Sequence, residues 1–118
     1  MGKIKPVLPS LREKKRYLAF KVISKDKINN ISAIFEAISR SISTFVGFLG
    51  FAKAGIIILP NKYDKEKQIG LIKVNHNYVN ELKASLAMIR EIDGKKVVVR
   101  SIGVSGILNK AEKKYIVS

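Results

Sequence analysis

An α+β sandwich is the fold class this sequence predicts, and three patterns carry the prediction. Residues 17–23 alternate apolar and mixed positions with period two. Residues 31–49 repeat apolar side chains at three- and four-residue spacing. A second set of short β-branched runs, followed by a second helical stripe, completes the chain. With 118 residues and 47% apolar content, the chain suits one globular domain with a single modest core.

Residues 1–10 hold Pro6, Pro9 and two lysines without periodicity, and are expected to form an extended arm. The first strand follows, with Leu18, Phe20 and Val22 on one face and Tyr17, Ala19, Lys21 and Ile23 on the other. Asn29 or Asn30 can cap the first helix, whose stripe runs Ile31, Ile34, Phe35, Ile38, Ile42, Phe45, Val46 and Leu49, with Gly50 as its expected stop. Residues 56–59 and 69–74 read as two strands of a hairpin with the polar tip NKYDKEKQ between them. Asn75 or Asn77 can cap a second helix, which buries Val79, Leu82, Leu86 and Ile89. Asp93-Gly94 is a turn, and Val97, Val98 and Val99 open a last strand that runs out in 101–106. Residues 108–118 are a short basic helix or a tail.

The order strand, helix, strand, strand, helix, strand is the ferredoxin-like, RRM-like βαββαβ arrangement. It predicts a single domain over 11–107 with a four-stranded antiparallel sheet, two helices on one face and the other face open.

Twenty-three Lys and Arg stand against nine Asp and Glu, a net +14. Such an excess repels itself unless a polyanion neutralises it, with nucleic acid the first partner to consider and a membrane surface the next. Cysteine is absent, which removes disulfides, thiolate metal sites and cysteine nucleophiles, and fits a cytoplasmic protein. The N-terminal ten residues lack the apolar core of a signal peptide. The most apolar window, 45–59, is broken by Lys53, Gly47, Gly50, Ala54 and Gly55 and falls short of the ~20 residues a spanning helix needs. No membrane segment is expected.

Enzymatic groups are sparse. His76 is the one histidine, no serine stands in a nucleophile motif, the carboxylates are scattered, and no phosphate-cradling glycine loop appears. No catalytic residue and no metal site is assigned to the chain. The cations are a different matter. Lys62, Lys65 and Lys67 alternate with Asp64 and Glu66, so their local field largely cancels. Arg12, Lys14, Lys15 and Arg16 are offset only by Glu13 and run straight into the first strand. Lys95, Lys96 and Arg100 lie on the last strand, and Lys110 in the C-terminal segment. These are the candidate phosphate contacts, since each neutralised phosphate releases counterions.

The outward set on the open sheet face reads Ala19, Lys21, Leu71, Lys73, Val98 and Arg100, with Tyr17 the one aromatic at its edge. Base stacking is poorly served by that set, whereas the backbone of a structured RNA suits it. Leu71 and Val98 equally mark a protein interface. Gly103-Val104-Ser105-Gly106 is either a phosphate nest or a tight turn into the last helix.

Two stretches, LREKKRYLAFKVIS at 11–24 and VVVRSIGVSGILNK at 97–110, resemble the archaeal ribonuclease P protein component 2 family. The family pattern is met by Leu11, Arg12, Lys14, Lys15, Arg16 and Tyr17, then by residues 103–106; Ala52-Lys53-Ala54 is also similar. The resemblance implies an RNA-binding subunit of ribonuclease P, the endoribonuclease that removes the 5′ leader of precursor tRNA. It implies that catalysis lies in the RNA subunit with its Mg²⁺, so that this chain binds no cofactor itself. It further implies ribonuclease P RNA, precursor tRNA, other ribonuclease P proteins and protein component 3 as partners, the last in a 2:2 heterotetramer. Arg12, Lys14, Lys15 and Arg16 would then hold RNA phosphates, seconded by Lys95, Lys96, Arg100, Ser105 and Lys110. Two other readings stay open on the residues alone: another structured-RNA or ribosome-associated module, and an interaction or regulatory domain whose sheet mediates assembly.

Overall fold

A computed structural model of the chain describes residues 14–117; the expected arm at 1–10 and Arg12 lie outside the described residues. The elements are β1 (Lys15–Ser24), α1 (Ile31–Ala54), β2 (Ile57–Ile58), β3 (Ile69–Asn75), α2 (Val79–Ala87), β4 (Glu91–Ile92), β5 (Lys95–Ser105) and α3 (Leu108–Ala111). The last continues as a π-helical segment, Glu112–Val117. One sheet runs β2-β3-β1-β5-β4, with every neighbouring pair antiparallel.

The sheet therefore has five strands rather than the four expected. The added strand comes from the predicted turn: Asp93 and Gly94, at φ 55° and 77°, form a two-residue hairpin loop that pairs Glu91 with Lys96 and Ile92 with Lys95. A two-residue strand is too short to show periodicity, which is why only its turn is visible in the sequence.

The face toward α1 and α2 carries Leu18, Phe20 and Val22 of β1, Ile72 and Val74 of β3, and Val97 and Val99 of β5, all buried. They meet Ile34, Ile38 and Ile42 of α1 and Leu82 and Leu86 of α2 in the main core. A bulge in β5 keeps the pattern in phase: Ala19 pairs with Gly103 and Phe20 with Ser101, so Ile102 is the extra residue. Past it, Val104 rather than Gly103 faces the core.

Helix α1 begins where the sequence places it, with the Asn30 side chain accepting from the Ala33 N–H at 3.2 Å. It does not stop at Gly50. It breaks at Gly47 (φ 82°, ψ 175°), continues to Ala54 and closes on Gly55 in the left-handed region. The extra turn is held from outside the helix, because buried Asn75 donates from Nδ2 to the Lys53 carbonyl. Asn75 is thereby a clamp on α1 and not the cap of the second helix, which starts at Val79 after a 3-10 turn, His76–Tyr78. By length and composition α1 could cross a membrane. Ile34, Ile38 and Ile42 instead fix its first half to the sheet, while Phe48 and Leu49 beyond them are 85% and 70% exposed.

The outer sheet face is not open as expected. The C-terminal segment lies across it, burying Ala19, Leu71 and Ala111 beneath Tyr17, Leu59, Leu108, Tyr115 and Ile116. Leu71 is 0% exposed and is removed as a protein-interface residue, whereas Val98 is 54% exposed. Strand alternation assigns residues to faces, but what covers a face depends on contacts remote in sequence.

The hairpin tip, which carries no motif, holds two structural residues. Gln68, buried at φ 55°, accepts from the Ile28 N–H and donates to the Val22 carbonyl, each at 2.8 Å. Tyr63 stacks on Phe20 and meets Phe35 edge-on, at centroid distances of 6.2 and 6.4 Å. Its buried hydroxyl has no hydrogen-bond partner among the described residues. Burial, seconded by the Asp64 carboxylate, pushes its pKa up to about 12. In the unfolded chain the phenol loses its proton near pH 10, so between about pH 10 and 12 the folded state binds the extra proton. Stability must therefore fall as pH rises through that window. Tyr63→Phe is expected to remove this alkaline loss and to leave neutral-pH stability unchanged or raised by up to about 1 kcal/mol. Urea titrations at neutral and alkaline pH check both.

Candidate nucleic-acid interface

The predicted cations fall into separate groups because β1 and β5 run antiparallel. Lys14, Lys15 and Arg16 sit at the start of β1, where Tyr17 pairs with Ser105. Lys95 and Lys96 lie at the opposite end of the sheet, beside Ser24, which pairs with Val97. The ten residues of β1 separate the two poles by about 30 Å at ~3.3 Å per residue. Arg100 stands between them, directly opposite Lys21.

At the first pole the strand fixes the cations as its sequence position implies. The Lys14 carbonyl accepts from the His76 N–H at 2.7 Å, so the base of the arm is tied to the end of β3 while the Lys14 side chain is exposed. Lys15 donates from Nζ to the Asn75 side chain, the same residue that clamps α1. Arg16 donates to the Lys15 carbonyl at 3.0 Å, and its guanidinium lies beside Gly106. Lys14 thus points freely to solvent, Lys15 doubles as a structural donor, and Arg16 borders the turn into α3.

That turn settles one open alternative. Neither Gly103 nor Gly106 has a positive φ, and the Ser105 hydroxyl accepts from the Ile107 N–H at 3.1 Å. Residues 103–105 are the end of β5 and the chain bends only at Gly106 and Ile107, where the Ser105 hydroxyl holds it; the alternating nest that cradles phosphate is not formed. Gly103 answers a different demand: a Cβ there would overlap the end of the Tyr115 side chain, so glycine lets that ring lie against β5.

At the second pole Lys95 donates to the Lys27 carbonyl at 3.3 Å, whereas Lys96 and Arg100 are exposed. Lys110 is exposed on α3. Lys21, which the sequence places on the outward face but not among the candidate phosphate contacts, lies opposite Arg100 and so belongs to the same exposed patch. Its place in the alternation was visible, but its cross-strand neighbour was not. His76 is exposed, and among the described residues no three His, Asp or Glu side chains gather to hold a metal ion.

These features define a class: a small, strongly basic α+β domain that displays cations on rigid strands at the two ends and along the seam of one sheet. Residues 16–116 match the model of the Rpp14/Pop5 family, and the chain belongs to that family. It is 38% identical over 112 residues to ribonuclease P protein component 2 of Pyrococcus furiosus, spanning 95% of this chain and 91% of that protein. To the protein of the same name from Thermococcus kodakarensis it is 39% identical over 113 residues, covering 92% and 88%. The Methanosarcina mazei protein of that name is 35% identical over 113 residues, covering 96% and 93%. A chain in the cryo-EM structure of yeast ribonuclease MRP shares the fold, with a TM-score of 0.61 at 16% identity over 80% of this chain and 76% of that one.

Proposed function

We propose that this chain is an RNA-binding protein subunit of ribonuclease P that supports the catalytic RNA in removing the 5′ leader of precursor tRNA. The observation that carries the reading is membership of the Rpp14/Pop5 family over residues 16–116, joined to a net charge of +14. The reaction belongs to the RNA and its Mg²⁺, and the protein contributes cations that hold RNA phosphates in place. Lys14 and Arg16 serve at the first pole, Lys96 at the second, Arg100 between the two, and Lys110 from α3. The residue pattern supports the narrower fold reading as well. With β4 set aside as a hairpin addition, the order β2-β3-β1-β5 and its all-antiparallel pairing are those of a ferredoxin-like split βαβ sheet.

Other ribonuclease P proteins share the particle, with protein component 3 the direct partner in a 2:2 heterotetramer and the cytoplasm the place of action. The outer side of the second half of α1, where Phe45, Phe48 and Leu49 are exposed, supports a protein neighbour. The test is multiple-turnover cleavage of precursor tRNA by the cognate RNA at moderate Mg²⁺. RNA alone is compared with RNA plus each protein and with RNA plus this chain and component 3 together. The pair is expected to raise the rate and lower the Mg²⁺ requirement. Salt-sensitive RNA binding without stimulation would favour a structured-RNA module with no processing role.

A further inference from the structure

The C-terminal segment covers only the half of the outer sheet face around Ala19, Leu71 and Gly103. On the rest of that face two exposed cations, Lys21 of β1 and Arg100 of β5, stand directly opposite each other. Cross-strand neighbours of this kind hold their Cβ atoms about 4.5–5.5 Å apart, and like charges so placed destabilise the pair. Neither cation enters an ion pair among the described residues. The next pair along the same face is Ile23 with Val98, at 40% and 54% exposure.

Two shallow clefts flank this seam and share Ile23 and Ser24. One, of about 510 Å³, has Lys21 and Lys27 on its walls; the other, of about 360 Å³, has Lys25 and Lys96. The carboxylates at the margins are Glu66, which pairs with Lys27 at 2.6 Å, and Glu91, which lies opposite Lys96 in the β4–β5 hairpin. Between these margins Lys21 lines the larger cleft, and Arg100 stands opposite it on β5, with the apolar pair Ile23 and Val98 beside them.

We propose that this trough takes the phosphodiester backbone of a single RNA strand. Phosphates sit on Lys21 and Arg100, and sugars and base edges rest on Ile23 and Val98. The proposal rests on the RNA-binding reading and adds to it a site that the arm does not include. Charge decides the occupant: a guanidinium and an ammonium side by side match successive phosphates, with arginine able to grip one of them through two parallel hydrogen bonds. The floor has no aromatic ring, so the strand is held by backbone and shape rather than by stacked bases. An RNA strand on the trough also removes the repulsion that the register imposes.

The test titrates the full-length chain with its cognate ribonuclease P RNA over a series of salt concentrations. Three double variants are compared with the parent: Lys21→Ala with Arg100→Ala, Lys14→Ala with Arg16→Ala, and Lys65→Ala with Lys83→Ala. Each removes two positive charges, and the last pair lies outside both proposed sites. The trough variant is expected to weaken binding and to reduce the slope of log Kd against log salt by about 1.5, with melting temperature kept or raised. Lys21→Arg is expected to keep the slope. If the trough variant behaves like the Lys65/Lys83 control while the arm variant loses slope, the trough proposal is overturned and the RNA-binding reading stands. If the parent binds the RNA without salt dependence, the RNA-binding reading itself fails. Loss of assembly with component 3 at unchanged RNA affinity would give the trough to a protein and overturn the proposal.

Discussion

Ile38→Ala is expected to cost the domain about 2–5 kcal/mol of unfolding free energy, a large share of what a domain of this size possesses. Ile38 is fully buried in the main core, on the stripe that fixes the first half of α1 to the sheet. Removing three carbons there forfeits their transfer free energy and leaves a hole that Leu82, Leu86 and the strand residues cannot close without moving. Phe48→Ala, a larger truncation in the same helix, is expected to change stability by no more than about 0.5 kcal/mol, because its ring is 85% exposed. Urea unfolding of the two variants against the parent separates them. Equal losses would mean that the helix is buried along its whole length, and would remove Phe48 from any surface offered to a protein partner.

That contrast also shows what the sequence can reveal and where it stops. The strand alternation at Leu18, Phe20 and Val22 and the spacing of Ile34, Ile38 and Ile42 are local signals, and each places a side chain where the structure has it. The three-to-four spacing cannot say where the face it marks runs out of protein to touch. Phe45 and Leu49 continue the stripe but are 45% and 70% exposed, on either side of the kink at Gly47. Leu71 fails for the complementary reason. Its face was read correctly, and its cover was supplied by residues some forty positions later. Leu108, Ala111 and Tyr115 do show a three-to-four spacing, a signal that could have identified the cover.

The same limit applies to the candidate site. Residues 14–16 were legible because a run of cations enters a strand within the sequence itself. That Lys15 spends its ammonium on Asn75, and that Arg100 faces Lys21, are consequences of register, which pairs residues 60 and 79 positions apart. Gln68 and Asn75 read as loop and cap residues because polarity marks surface on average. Their burial is tolerable only because remote backbone groups, at Val22, Ile28 and Lys53, satisfy them.

Gly103→Val is expected to lift the C-terminal segment from the sheet while the main core stays folded. The new Cβ would overlap the phenol end of Tyr115, closer than any real contact allows, and Gly103 is paired to Ala19 of β1, so the ring is the part that has to move. Rotating Tyr115 away uncovers Ala19 and Leu71, which share a small cluster with Ala111 and have no part in the main core. The loss is therefore bounded, of the order of 1–3 kcal/mol for an overpacked site, and confined to one face. Amide hydrogen exchange should show protection falling over 108–117 while Ile72, Val74 and Val99 keep theirs. A double-mutant cycle gives the sharper reading. Tyr115→Ala should be costly in the parent, where the ring covers β5, and nearly without effect in the valine background, where the ring has already left. If the two changes simply add, Tyr115 keeps its seat and the glycine is not what admits it.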